Sequence, residues 1–229
     1  MRTANSGIRA YAYRVTVPPA NGAVTLTTLK EHLRITNDRQ DTILQLYLDA
    51  AIHFAEDCTG LALITQTYET ERDFFPNTSS EAYYLDGAMP ETFNATTGNV
   101  GFELRRGPVQ SVESLEYVQL NTAATYTTVD PTLYYVVNPE AGKLANLLLA
   151  PEQTWPTDAI SPRPSAIRIT FVVGFGDNDT DVPADIRLAI LEHATQMFAN
   201  RGDCASDSCA GLLPAISKGI YNKHKVVNL

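Results

Sequence analysis

Two stretches of the chain keep apolar residues at helical spacing for several turns. Between Val182 and Arg201 the sequence VPADIRLAILEHATQMFANR sets Ile186, Ala189, Ile190, His193, Met197 and Phe198 on one broad face. Pro183 stands where a first helical residue would be, with Asp181 and Asp185 beside it, and Gly202 follows as a stop. Proline lacks an N–H that the first turn does not need, and carboxylates suit the positive end of the helix dipole. The second stretch, Asp41 to Thr59, has a main stripe of Leu44, Tyr47, Leu48, Ala51, Phe54, Ala55 and Cys58, and Gly60 ends it. Ile43, Leu46 and Ala50 add a second apolar flank, wider than one neighbour needs. Asn37 or Asp38 is the expected cap of that helix. A shorter helix is predicted over Thr25–Ile35, with Thr25 as cap and Val24 packed on Leu29 as a staple.

Between the helices the period changes from 3.6 to 2. Strands are predicted at Tyr11–Val17 (an arm or edge strand), Thr65–Phe75, Gly101–Arg105, Val112–Leu120, Tyr126–Val129, Leu133–Val137 and Ile167–Val173, with Tyr83–Leu85 as a short addition. Gly-Pro, Asp-Pro and Asn-Pro pairs separate them and no helical pattern intervenes, which favours an antiparallel meander over βαβ units. Lys143–Ala150 reads equally as strand or helix, and Trp155 is expected to plug an edge of the core. The fold class is therefore α+β: a small bundle of three to four helices, an inserted antiparallel β-rich middle, and an extended C-terminal tail. The boundaries are an N-terminal arm over 1–23, a first helical part over 24–62, the β-rich region over 63–175 with a long polar loop at 77–99, the closing helix over 176–203, and a loop and tail over 204–229.

Charge changes the picture at the C-terminus. The 229 residues carry a formal −9, which argues against wrapping or sequence-reading contact with nucleic acid but not against a wall that nucleic acid passes. Residues 212–229 hold Lys218, Lys223 and Lys225 with no acid, so this tail stands at +3 and the remainder at −12. Such a segment is either a free solvated end or one that orders on an acidic partner. Cys58, Cys204 and Cys209 are too few for a disulfide framework, and a reduced cytoplasmic setting is expected. The first residues lack the apolar core of a signal peptide, and no stretch reaches transmembrane length.

Candidate chemistry is sparse. Gly176–Asp181 alternates carboxylates like a calcium loop, but Val182 and Leu188 occupy the positions where an EF-hand needs glycine and a bidentate acid. A polar turn feeding a helix start accounts for those acids. His32, His53, His193 and His224 are scattered, and no metalloprotease, serine-hydrolase or phosphate-loop motif occurs. Glu192 and His193 are adjacent, so on a helix they diverge by about 100°. His193 reads as a core or interface residue, and Arg105-Arg106 as a turn between strands. No catalytic residue, metal ligand or cofactor is assigned.

Taken together, four motifs in order resemble the head–tail connector (adaptor) family of long-tailed bacteriophages, prophages and gene transfer agents. They are VTVPP followed by VTLTTLKEHLRI; DTILQLYLDAAIHFAEDCTGLALITQTYE, with the family's TG-x-x-L-x-x-Q turn at Thr59–Gln66; ELRRGPVQSVESLEYV; and AIRITFVVGFG followed by VPADIRLAILEHATQMFANR. The resemblance covers Val15–Arg201. It implies a non-enzymatic virion protein at the neck, a twelve-fold ring below the portal that extends the DNA channel and meets a stopper or tail-completion protein. Double-stranded DNA would pass through the lumen without specific binding. It makes Ile43, Leu46, Tyr47, Ala50, Phe54, His193 and Met197 candidate contacts between copies. It also makes Leu212, Leu213, Ile216, Lys218, Ile220, Tyr221, Lys223, Lys225, Val226 and Leu229 candidates for docking to the portal protein. The loop at 77–99 is longer than the family's usual connection, and the tail carries lysines where the family commonly has arginine. Two alternatives from other classes stay open: a β-rich module binding glycan or host surface through Tyr83, Tyr84 and Trp155, and a hydrolase built from Glu69, Glu71, Asp177 and Asp179.

Overall fold

The structure, a computed structural model, describes residues 12–76, 101–120, 125–137, 145–157, 160–200 and 213–226. In chain order its elements are β1 (Tyr13–Val17), α1 (Leu26–Leu33), α2 (Asp41–Thr59), β2 (Gln66–Arg72), β3 (Gly101–Leu104), β4 (Val109–Val118), β5 (Tyr126–Thr128), β6 (Tyr134–Val137), β7 (Ala145–Leu149), β8 (Ile167–Val173), α3 (Ala184–Ala199) and α4 (Ala215–His224). Among the described residues, four helices and two antiparallel sheets make an α+β fold.

Local chemistry explains the helix ends. Thr25 caps α1 by accepting the N–H of Thr28 at 3.2 Å, as the sequence predicts. Gly60 closes α2 at φ 74°, where a side chain would be strained. The start of α2 differs from expectation. Gln40 is its N-cap and makes no side-chain capping bond. Asn37 instead turns back on the N–H of Arg39, and Asp38 pairs with Lys30 at 2.6 Å. The closing helix is shorter than the periodicity suggests, beginning at Ala184 after a capping box in which Asp181 and Asn178 satisfy one another. Those carboxylates serve the turn.

A helical core gathers Leu29, Leu44, Leu48, Ala51, Ala55, Ile186, Ile190 and Ala194, all fully buried or nearly so. A second core fills the space between the sheets, around Leu115, Ile167, Ile169, Phe171, Leu104 and Leu147. The larger sheet runs β1-β2-β8-β4-β5 and the smaller β3-β7-β6. The strands are antiparallel as expected, but the meander is not. β8 arrives from the far end of the β-rich region and lies between β2 and β4. Its alternate residues Ile167, Ile169, Phe171 and Val173 are buried, so it needs a neighbour on each edge and a covered face. Lys143–Ala150 resolves as a strand over its described part, Ala145–Leu149. Trp155 is buried and stacks on Phe75 with ring centroids 5.3 Å apart, the core plug that was expected. Arg72, buried across the two sheets, donates to Tyr13 Oη at 3.1 Å and to the Glu103 carbonyl at 3.3 Å.

The sharpest correction concerns the C-terminus. Residues 215–224 are not extended; they form α4, packed on α2 and α3, with Ser217 and Tyr221 buried. The predicted strand at 83–85, the loop at 77–99 and Cys204–Cys209 lie outside the described residues.

Candidate assembly surface

α2 is a two-sided helix, as its pattern foretells. Leu44, Leu48, Ala51 and Ala55 face the core, while Leu46 is 60% exposed, Phe54 40% exposed and Ala50 also exposed. Ile43 and Tyr47 lie half-buried at the border, Tyr47 edge-on to Phe198 at 6.5 Å. Leu46, Ala50 and Phe54 recur every four residues, so they form one open stripe along the helix. Two of the candidate contact residues sit deeper. His193 is only 3% exposed and packs edge-on to Phe54 at 4.9 Å, inside its own chain. Burial holds its imidazole below the usual pKa, hence neutral near pH 7. Met197 is half-buried.

The tail candidates divide in the same way. Tyr221 is 2% exposed, lying 6.2 Å from the Phe54 ring, and burial first, then the neighbouring Cys58, push its hydroxyl pKa upward. It is a core residue of this chain, not a free docking group. Leu213, Ile220 and Val226 pack partly against the helical core, and Val226 N–H donates to the Thr59 carbonyl at 2.8 Å. Ile216, 52% exposed, remains outward with Lys218 and Lys225. Leu212 and Leu229 lie outside the described residues.

Two polar hubs that the sequence reading missed fix these surfaces. Asp185, in the first turn of α3, accepts the Ile186 N–H through Oδ1 and both Lys223 Nζ (3.0 Å) and His224 Nε2 (2.7 Å) through Oδ2. Burial alone would raise its carboxyl, but the bonds and charges of His224 and Lys223 hold it down at about 2. Glu56, near the end of α2, accepts the Leu63 N–H at 2.9 Å and Gln66 Nε2 at 3.2 Å. Burial raises its pKa against those bonds. Arg106 reaches the same place, donating to the Glu56 carbonyl at 3.3 Å at the negative end of the helix. This hub gives the TG-x-x-L-x-x-Q turn its physical content: Thr59 and Gly60 end the helix, and Leu63 and Gln66 are read by Glu56. The Glu56–Gln66 spacing was the one side-chain signal available, but it crosses a helix end where periodicity carries no information, and the Leu63 partner is a backbone N–H that any residue would offer.

The described residues of the alternative readings do not assemble a site. Glu69 pairs with Arg14 at 2.5 Å and with Arg168, and Glu71 faces Arg168 at 3.8 Å. Asp177 and Asp179 belong to the turn before α3. Among the described residues no group of three or more His, Cys, Asp and Glu could hold a metal ion. Trp155 is inside the β core, and Tyr83 and Tyr84 lie outside the described residues. No described helix is long and apolar enough to cross a membrane.

Residues 23–96 match the family model described as Phage gp6-like head-tail connector protein. No curated protein sequence matches the chain. Among solved structures, a chain from the neck of an empty GTA particle, computed with C6 symmetry, superposes with a TM-score of 0.69 at 20% identity, covering 95% of this chain and 97% of that one. A chain from the virion of a native gene transfer agent particle gives 0.66 at 20% identity over 95% and 96%. One from the neck of the native particle, computed with C12 symmetry, gives 0.64 at 19% over 95% and 97%. The segment carrying α1, α2 and β2 is thus similar to the Phage gp6-like head-tail connector family, and it is set in a fold shared over nearly its whole length with chains from gene transfer agent necks.

Proposed function

We propose that the protein is a head–tail connector subunit of a tailed, phage-like particle, one copy in a ring at the neck between the portal and the tail-side components. The observation that carries this reading is the connector-family match over residues 23–96, joined to a fold that covers 95% of the chain in a neck protein. A connector works by joining surfaces, so no reaction is assigned to it. Copies meet through the exposed stripe Leu46, Ala50 and Phe54, bordered by Ile43 and Tyr47, in a heterologous contact repeated until the ring closes. His193 supports that stripe from within. The outward face of α4, with Ile216, Lys218 and Lys225, is offered to the portal, and the net charge of −9 keeps passing DNA from adhering.

Electron microscopy of particles with the protein labelled tests the reading. Density or label at the head–tail junction, with tail-less heads when the gene is removed, is the expected result. A protein absent from particles, or spread over the capsid surface, overturns it.

A further inference from the structure

α4 is weaker than its neighbours at three separate points. Gly219 sits in mid-helix, yet a methyl group built on it would meet nothing within 4 Å. Packing does not require glycine there, and its backbone freedom weakens the helix. Pro214 at the N-cap supplies no side-chain acceptor, and the first turn holds no acid. Beneath the helix, Tyr221 and His193 lie with ring centroids 6.4 Å apart, and Tyr221 Oη and His193 Nδ1 have no hydrogen-bond partner among the described residues. Both would gain water if α4 lifted. Three polar attachments hold it down: the clamp on Asp185, the Ser217 hydroxyl on the Ala189 carbonyl at 2.9 Å, and Val226 on Thr59.

We propose that α4 is a strap that opens from α2 and α3 as a unit while the rest of the chain stays folded. Locally weak elements of this kind open with less free energy than the whole fold, and departures from local rules collect at working parts of proteins. Opening uncovers His193 and the flank of Phe54 that Tyr221 touches. Phe54 belongs to the stripe proposed above for contact between copies, so a closed strap limits that contact. This consequence rests on the ring reading; the opening itself does not.

Hydrogen exchange of the full chain, read peptide by peptide, tests the strap. Residues 215–224 should exchange at least about tenfold faster than the buried turns of α2 and α3. Gly219→Ala should slow that opening roughly fourfold, and Tyr221→Phe by up to about tenfold. Asp185→Asn should hasten it, and all three should leave α2 unchanged. Exchange of α4 at the rate of α2 and α3, or no response to the two tightening substitutions, overturns the strap. The same variants then report on assembly, where Gly219→Ala and Tyr221→Phe should form rings more slowly. Equal rates overturn the gating consequence. Absence of rings from the unaltered protein with portal-bearing heads overturns the ring reading, and the exchange data still decide the strap.

Discussion

Glu56 offers a test in which two opposing effects can be separated. Its carboxylate accepts the Leu63 N–H at 2.9 Å and Gln66 Nε2 at 3.2 Å, while burial works against its charge and raises the pKa above the ordinary 4.5. Glu56→Gln keeps an acceptor oxygen at the same place and removes the charge. Glu56→Ala removes the acceptor and leaves the Leu63 N–H unpaired where the chain turns from α2 into β2, a loss of about 1–3 kcal/mol. The sign with pH follows from the raised value. The folded state holds its proton more tightly than the unfolded chain, so the contribution of this group is fully present below 4.5 and lost as pH rises through the folded pKa. Urea unfolding at pH 4 and pH 7.5 should therefore find Glu56→Gln no less stable than the natural protein at pH 7.5, with any advantage shrinking at pH 4. Glu56→Ala should be less stable at both. A Glu56→Gln protein destabilised at pH 7.5 by as much as Glu56→Ala would refute the dominance of burial, because the charge itself would then be stabilising.

Other expectations follow from single contacts. Asp185, held at about 2, stabilises the fold above its ordinary value near 3.8, and that contribution should fade as pH falls from about 4 toward 2; after discount for its surface position it is worth about 1 kcal/mol, read as the difference in acid unfolding between the natural protein and Asp185→Asn. Leu46→Glu, at a 60% exposed position, should shift stability by no more than about 0.5 kcal/mol yet abolish ring formation, seen by thermal melting beside electron microscopy. Gly174→Ala should unfold or strongly destabilise the protein, since φ is 132° and a Cβ would stand 2.6 Å from Thr65 N; loss of the cooperative melt checks it. Removal of residues 212–229 should leave the rest of the chain folded but less stable, because Tyr221 packs in the helical core; truncation of one such buried aromatic costs about 3 kcal/mol or more, measurable by urea titration.

Helices α1, α2 and α3, the start of α1 and the end of α2 were legible in the sequence because they depend on neighbours within a turn. Thr25 finds Thr28, Gly60 turns left-handed after Thr59, and Leu44, Leu48, Ala51 and Ala55 share a face by spacing alone. The second apolar flank was legible for the same reason at Leu46 and Ala50, but the structure adds Phe54, read from spacing as part of the main stripe, and draws Ile43 half under cover. Strand content and antiparallel sense were also readable, from period and punctuation. Strand order was not. The placing of β8 between β2 and β4 depends on hydrogen bonds between residues far apart in the chain, from Tyr117 with Ile167 to Gln66 with Val173, to which local alternation is blind. His193 and Tyr221 show the same limit in the helical part. Helical spacing put His193 on an apolar face, but only the docking of α4 decided that the face is closed by this chain's own Tyr221. Charge and composition marked residues 212–229 as a separate, basic tail. Tertiary packing makes its residues 215–224 a helix, because a buried tyrosine, the Ser217 hydroxyl and the Asp185 clamp together outweigh a sequence that supports that helix poorly by itself.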